Sequence, residues 1–506
     1  MAIIKIDPDR QRGQVDRRLF GQFVEHLGRC IYGGIFDEGS PLADQRGFRT
    51  DVLDAARALR VPLLRWPGGN FVSGYHWIDG IGPRDNRPRR IELAWRAEEP
   101  NRFGTDEFIE YCRVLGAEPY ICVNMGTGTM DEAQAWVEYC NGTGNTHWAN
   151  LRRANGHAEP YNVKYWGLGN EMYGAWQIGA TTAEEYVGKA RQFASIMKMT
   201  DPSIELVSCG QWGWTDWDRT VIEGLARYVR YHSIHLYTGS SDYWRNVLMV
   251  HQAERAIRIC ETLVERARYQ QHLTHPIGIA FDEWNVWYRT RTDDLRRAGL
   301  EEQYDLSDAL AIATWLNILL RHCQSVQIAN FAQMVNVIAP IFTRPDALFL
   351  QTTYHPLRLY AEHHQSIALD VFVDSPPVEL TPERESLDTS PAGRDWKVSD
   401  LGPFQVLDVS ATCDAARRTL CVAVVNRSPD EAIPTTISID GYRLGPLTVH
   451  VVNGADPDTR NSFESPEAVS VDTTYLSDPG RTVEYTFPAH SVVVLKGEML
   501  AAGADS

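Results

Sequence analysis

Two carboxylates stand out by their setting. Glu171 closes the stretch "VKYWGLGNE" from Val163, and Glu283 lies in "IGIAFDEWN" from Ile277. Both stretches begin as short apolar runs of strand length, and both finish in polar residues. Two carboxyls on facing elements suit glycosidic bond cleavage: one protonates the leaving oxygen while the other attacks or activates water. An acid in that role keeps its proton near neutral pH only if burial or a second carboxylate raises its pKa, and Glu283 supplies such a charge. Asn170 suits a sugar 2-hydroxyl, where a hydrogen bond strengthens as positive charge develops at the anomeric carbon.

Positioning such a pair takes regular elements. Eight strand candidates run along the first two-thirds of the chain: "LFGQFVEH" from Leu19, "VPLLRWPGG" from Val61, "EPYICVN" from Glu118, "VKYWGLGNE", "IELVSCG" from Ile204, "YVRYHSIHLY" from Tyr228, "IGIAFDEWN" and "VQIANFAQM" from Val326. Segments of helical period separate them, at 51–59, 105–115, 253–267 and 307–322. The clearest puts Tyr186, Ala190, Phe193 and Met197 on one face behind a Thr182/Glu185 capping box. Alternating βα units predict an α/β fold, a (β/α)8 TIM barrel, whose site gathers at the C-terminal strand ends. Those ends carry Glu25, His26, Arg65, Asn70, Asn124, Asn170, Glu171, Gly210, His235, Tyr237, Asp282, Glu283, Trp284 and Gln333. Glu171 and Glu283 follow the fourth and seventh strands, which face each other across the mouth.

Arg65 reads as part of an ion-pair net there. Trp66, Trp77, Trp95, Trp176, Trp284 and Trp287 lie near strand ends or their loops, as core aromatics or as platforms for sugar rings. His26, His232 and His235 do not read as a metal set, since 232 and 235 point to opposite faces of a strand. No metal or cofactor is expected.

From about Val378 the texture changes to β-branched alternation with turn residues, as in "FQVLDVSATC", "TLCVAVVNRS" and "HSVVVLKGE", which predicts a C-terminal antiparallel β-sandwich. The net charge of −17, with basic residues scattered, argues against nucleic acid as a partner. Lacking a run of about 18 apolar residues, the chain is not expected to span a membrane. Its start, "MAIIKIDPDRQRG", has no apolar signal core, so a cytoplasmic location is expected. The nine cysteines, an odd number without a CxxC pair, read as buried reduced thiols.

The blocks "FGQFVEHLGRCIYGGI", "LRWPGGNFVSGYHWIDGIGP", "WGLGNEMYGAWQIG", "DEWNVWY" and "AQMVNVIAPI", in that order, resemble the retaining α-L-arabinofuranosidases of glycoside hydrolase family 51. The resemblance implies that Glu171 is the general acid/base and Glu283 the nucleophile. It further implies that Glu25, Asn70, Asn170, Tyr237 and Gln333 hold the arabinofuranosyl unit, on arabino-oligosaccharides cleaved by exo action. The family's jelly-roll domain takes up an N-terminal strand, giving expected units of 1–14 (strand), 15–378 (barrel) and 379–500 (sandwich), and a homo-oligomer, a hexamer, is implied. Read from the residues alone, another retaining barrel glycosidase such as a β-glycan endo-hydrolase stays open, as does a sugar-binding protein without catalysis.

Overall fold

The computed structural model describes residues 1–290, 299–381, 398–477 and 480–501. Eight parallel strands close into a barrel: Gly21–Phe23, Leu63–Trp66, Glu118–Val123, Tyr165–Leu168, Glu205–Ser208, Tyr231–Thr238, Gly278–Val286 and Val326–Ala332. Six fall inside the apolar runs read from the sequence, and Tyr231–Thr238 and Gly278–Val286 run one residue past theirs. Both faces of such strands are covered, which is why the runs are nearly continuous in apolar residues.

Inside the barrel, Leu63, Tyr120, Tyr165, Val207, Tyr231, Ala280 and Ile328 form a packed cluster. At the N-terminal ends of the strands Arg18 closes this interior, donating to the Tyr165 and Tyr231 hydroxyls and pairing with Asp16. The opposite end is left for polar side chains.

Helices follow the periodic segments. Ala183–Thr200 begins at the Thr182/Glu185 capping box, in which the Thr182 side chain accepts the Glu185 N–H and Glu185 reaches back to the cap. The helix Leu306–Arg321 is buried from Leu306 through Leu320. A helix apolar on all sides must be covered on all sides, and this one lies between the barrel and the second domain. Its Asn317 amide and Arg321 guanidinium reach Asp408 of that domain at 2.8 and 3.0 Å.

The second domain is one nine-stranded sheet curled round its own core, in which Ile4, Leu369, Val422, Ile437, Val449, Phe487 and Val493 meet. The strand Ala2–Gln14 enters it, pairing antiparallel with Ile367–Asp374 and parallel with Ile433–Ile439. The sheet differs from the sequence expectation in two ways. It is not wholly antiparallel, and it takes in Ile367–Asp374, which precedes the expected boundary at 378. That strand's alternation is short and directly follows the helix Tyr354–His363, so nothing in its pattern separates it from a last barrel element.

Candidate active site

The strand ends converge on one hydrogen-bonded net. Arg65, fully buried, donates from Nη1 to Glu283 Oε1 at 2.7 Å and from Nη2 to Asn170 Oδ1 at 2.7 Å. Its Nε faces Asp282 Oδ2 at 3.5 Å. Tyr237 donates its hydroxyl to the other Glu283 oxygen at 2.7 Å. Glu283 is thus held from both sides, with its orientation fixed by a cation and a phenol. Arg65 does belong to an ion-pair net, and the net is the site itself.

Glu171 sits in the left-handed region, at φ +43, after Gly169 at φ +78. A β-carbon makes that conformation costly, and such strain persists where surrounding contacts over-determine it. Three donors do so here: Tyr173 OH at 3.0 Å and His235 Nδ1 at 3.0 Å on one oxygen, and Trp176 Nε1 at 2.8 Å on the other. The opposite ring nitrogen of His235 meets Asp282 Oδ1 at 3.2 Å, and Asp282 also accepts from Ser233 and, at 2.7 Å, from Tyr120.

Adjacent strand residues normally face opposite ways, yet Asp282 and Glu283 both enter the net. The pairing with Tyr231–Thr238 explains this: Ala280 stands opposite Ser233 but Glu283 opposite His235, so one extra residue is spent between them. The same slip occurs against Val326–Ala332. This bulge turns two successive carboxylates inward.

Glu25 takes the Phe71 N–H and Trp95 Nε1–H on one oxygen and Gln333 Nε2–H on the other, each at 3.0 Å. Asn70 opens the short helix Asn70–Gly74 that contains Phe71, and it is half-buried. Among the buried polar atoms of the site without a hydrogen-bond partner are two amide atoms, Asn170 Nδ2 and Gln333 Oε1. A buried amide in that state is poised for a ligand's hydroxyl.

The charges balance unevenly. Burial works against the His235 imidazolium, but the Glu283 charge and the bonds to Asp282 and Glu171 raise its pKa to about 10. Burial favours a neutral Asp282, but Arg65 and His235 hold it well below the usual carboxylate range. Burial, with the Glu283 charge behind it, pushes Glu25 up to about 8. The expectation for Glu171 is corrected: burial does push it up, but the His235 bond and charge, with Trp176 and Tyr173, outweigh this, and its pKa is lowered. In the free site the proton therefore rests on the imidazole side of the Glu171–His235 hydrogen bond. Glu171, His235 and Glu283 have ligand-capable atoms within 4.8 Å of one another.

His235 and Asp282 stood in the ring of strand ends, but their coupling to Glu171 was not read from sequence. A signal existed: Ser233, His235 and Tyr237 alternate at the strand period and all three turn inward. His232 faces away, to Asp218 at 3.1 Å, and His26 pairs with Glu99 at 2.9 Å. The tryptophans divide. Trp66, Trp77 and Trp284 are core residues, while Trp95 and Trp176 donate to Glu25 and Glu171, and Trp287 packs edge-on against Tyr237.

Residues 55–255 match the α-L-arabinofuranosidase 1 domain, and residues 282–491 match the α-L-arabinofuranosidase C-terminal domain. The chain is 44% identical to α-L-arabinofuranosidase C of Emericella nidulans, with 97% of each chain covered. It is 40% identical to an intracellular exo-α-(1→5)-L-arabinofuranosidase of Streptomyces lividans, over 94% of this chain and 72% of that one. The solved family 51 α-L-arabinofuranosidase of Thermotoga petrophila superposes with a TM-score of 0.89 at 41% identity, over 98% of this chain and 100% of the other. Identity at this level over nearly the full length, together with the barrel and its curled sheet, makes the chain a member of the α-L-arabinofuranosidases of glycoside hydrolase family 51.

Proposed function

We propose that the protein removes terminal α-L-arabinofuranosyl units from arabino-oligosaccharides by double displacement, with Glu283 as nucleophile and Glu171 as acid/base. The observation that carries this reading is the spacing: an oxygen of Glu171 and one of Glu283 lie within 4.8 Å. Carboxyls about 5 to 5.5 Å apart leave no room for a water between them, whereas inverting pairs stand about 6.5 to 9.5 Å apart.

In the first step a Glu283 oxygen bonds to the anomeric carbon, and the bond to the leaving oxygen breaks as that oxygen takes a proton from Glu171. The proton reaches Glu171 along the hydrogen bond from His235 Nδ1. In the second step Glu171 takes a proton from water, the water oxygen bonds to the anomeric carbon, and Glu283 departs as a carboxylate. Arg65 and Tyr237 hold Glu283 throughout. Asn170 Nδ2 and Gln333 Oε1 supply the unpaired buried atoms, and Glu25 and Asn70 lie beside them for further sugar hydroxyls. The S. lividans relative, named as exo-acting on α-(1→5) linkages, supports arabinofuranosides over a β-glycan.

Product NMR should show the first-formed sugar with retained configuration. Glu283→Ala should lose several orders of magnitude on every glycoside, and a variant keeping more than about a tenth of wild-type turnover would remove the nucleophile assignment. Glu171→Ala should lose far more on oligosaccharides than on a nitrophenyl arabinofuranoside, because only the poor leaving group needs the proton. Azide should restore the latter as a glycosyl azide of retained configuration. Equal losses without rescue would make Glu171 structural.

The same proposal places the protein inside the cell as a homo-oligomer, a hexamer by resemblance, acting on short arabinan- or hemicellulose-derived oligosaccharides. Nine buried cysteines without a disulfide fit a reducing compartment. Ile91 and Leu93, 80% and 61% exposed on one hairpin, offer apolar surface to a second copy. A monomer mass by light scattering would refute the assembly.

A further inference from the structure

A cavity of about 350 Å³ lies where the helices His251–Gln270 and Leu306–Arg321 meet the sheet domain. Its size is at the low end for small-ligand sites, about 300 to 1,000 Å³. One wall is basic, with Arg255, Arg258, Arg321 and Arg427 against only Glu254 and Asp408; the other is apolar, with Val373 and Phe404. In a chain of net charge −17 such a wall is unusual.

Three of the arginines already have carboxylates: Arg321 with Asp408 at 3.0 Å, Arg258 with Glu254 at 2.9 Å and Arg255 with Asp400 at 2.6 Å. Arg427 does not. It is 1% exposed, and among the described residues no carboxylate lies within ion-pair distance of it. Its Nη1 donates to His251 Nε2 at 2.8 Å and its Nη2 to the Gln405 carbonyl, both neutral acceptors, while its Nε is buried without a partner. By accepting at Nε2, His251 is fixed as the neutral tautomer with Nδ1–H toward Glu254 at 3.3 Å. Burial and the Arg427 charge also hold its pKa below the usual value. The nearest counter-charge is Asp408, which Arg321 already engages. A buried guanidinium without a carboxylate of its own is unfavourable, and an arriving oxyanion would add charge on that side and occupy the idle Nε–H.

We propose that this junction cavity is a binding site for a small anion that presents a carboxylate or phosphate to Arg427 and an apolar body to Val373 and Phe404. Arg258, 64% exposed at its side chain, can leave Glu254 to close over the anion. Such a ligand bridges barrel and sheet, so binding should stabilise the pair of domains together.

The test is calorimetric titration of the intact protein with inorganic phosphate and, separately, with benzoate, each against sodium chloride at matched ionic strength. Arg427→Met removes the donor, and Val373→Trp fills the space from the sheet side. Turnover of a nitrophenyl arabinofuranoside reports that each variant is folded. Saturable binding of at least one probe is expected, weakened at least about tenfold in both variants. Phosphate binding alone would assign a phosphate-bearing ligand, and benzoate binding alone an organic carboxylate. Absence of saturable binding by either probe, or equal affinity in the folded variants, overturns the site. If Arg427→Met fails to fold, the Val373→Trp titration decides.

Discussion

Replacing His235 with glutamine tests where the catalytic proton is kept. Glutamine preserves a neutral donor toward Glu171 but removes the imidazolium that faces Glu171 at 3.0 Å, Asp282 at 3.2 Å and Glu283 at 3.6 Å. With an effective dielectric near 20, a unit charge at the Glu171 distance contributes about 5 to 6 kcal/mol, a ceiling equivalent to about four pH units. The alkaline limb of the kcat/KM profile is the one that moves. The alkaline limb reports loss of the proton shared by Glu171 and His235, which the imidazole retains to about 10. In the variant a lone buried carboxyl must hold it, and such groups reach only about 8 to 9, so that limb moves down. The assay is kcat/KM against pH on an arabino-oligosaccharide, whose poor leaving group requires the acid. An alkaline limb at lower pH is expected. A smaller rate with that limb in its wild-type position would refute the shared proton and leave His235 as a packing residue.

Two further outcomes follow from the same geometry. Glu25, with a folded pKa raised to about 8, keeps its proton while the unfolded chain loses it above about 4.5. Its stabilising contribution is complete below pH 4.5 and lost as pH rises to 8, with a ceiling of roughly 5 kcal/mol. Glu25→Gln, which cannot ionise, should therefore gain stability relative to wild type across that window in denaturant titrations; a difference independent of pH would show that Glu25 is ionised in the fold. Gly169 stands at φ +78 with Met125 Cβ 3.0 Å from where a methyl would sit, so Gly169→Ala should cost about 1 to 2 kcal/mol, and undiminished stability would remove the strain argument for the turn that presents Glu171.

How far the sequence carries depends on what each feature rests upon. The barrel strands were legible because a strand buried on both faces must be apolar along its length, and segments of helical period separate one such run from the next. Ala2–Gln14 joins the sheet far from its neighbours in sequence, and the pairing of Ile367–Asp374 is likewise long-range, so neither partner could be assigned from local pattern. The six tryptophans looked alike on the page. Three were separated from the core only by loops that turn Trp95 and Trp176 toward carboxylates and lay Trp287 on Tyr237. The deepest gap concerns the proton. The sequence supplied the carboxylates and the reasoning that a nearby charge should raise Glu171, but a single extra residue in Gly278–Val286 brings Asp282 inward beside Glu283. Three carboxylates around one imidazole raise His235, and a group that keeps the proton there lowers Glu171 in place of raising it. The acid of the reaction is then a pair, and what tunes it is a bulge that no residue type announces.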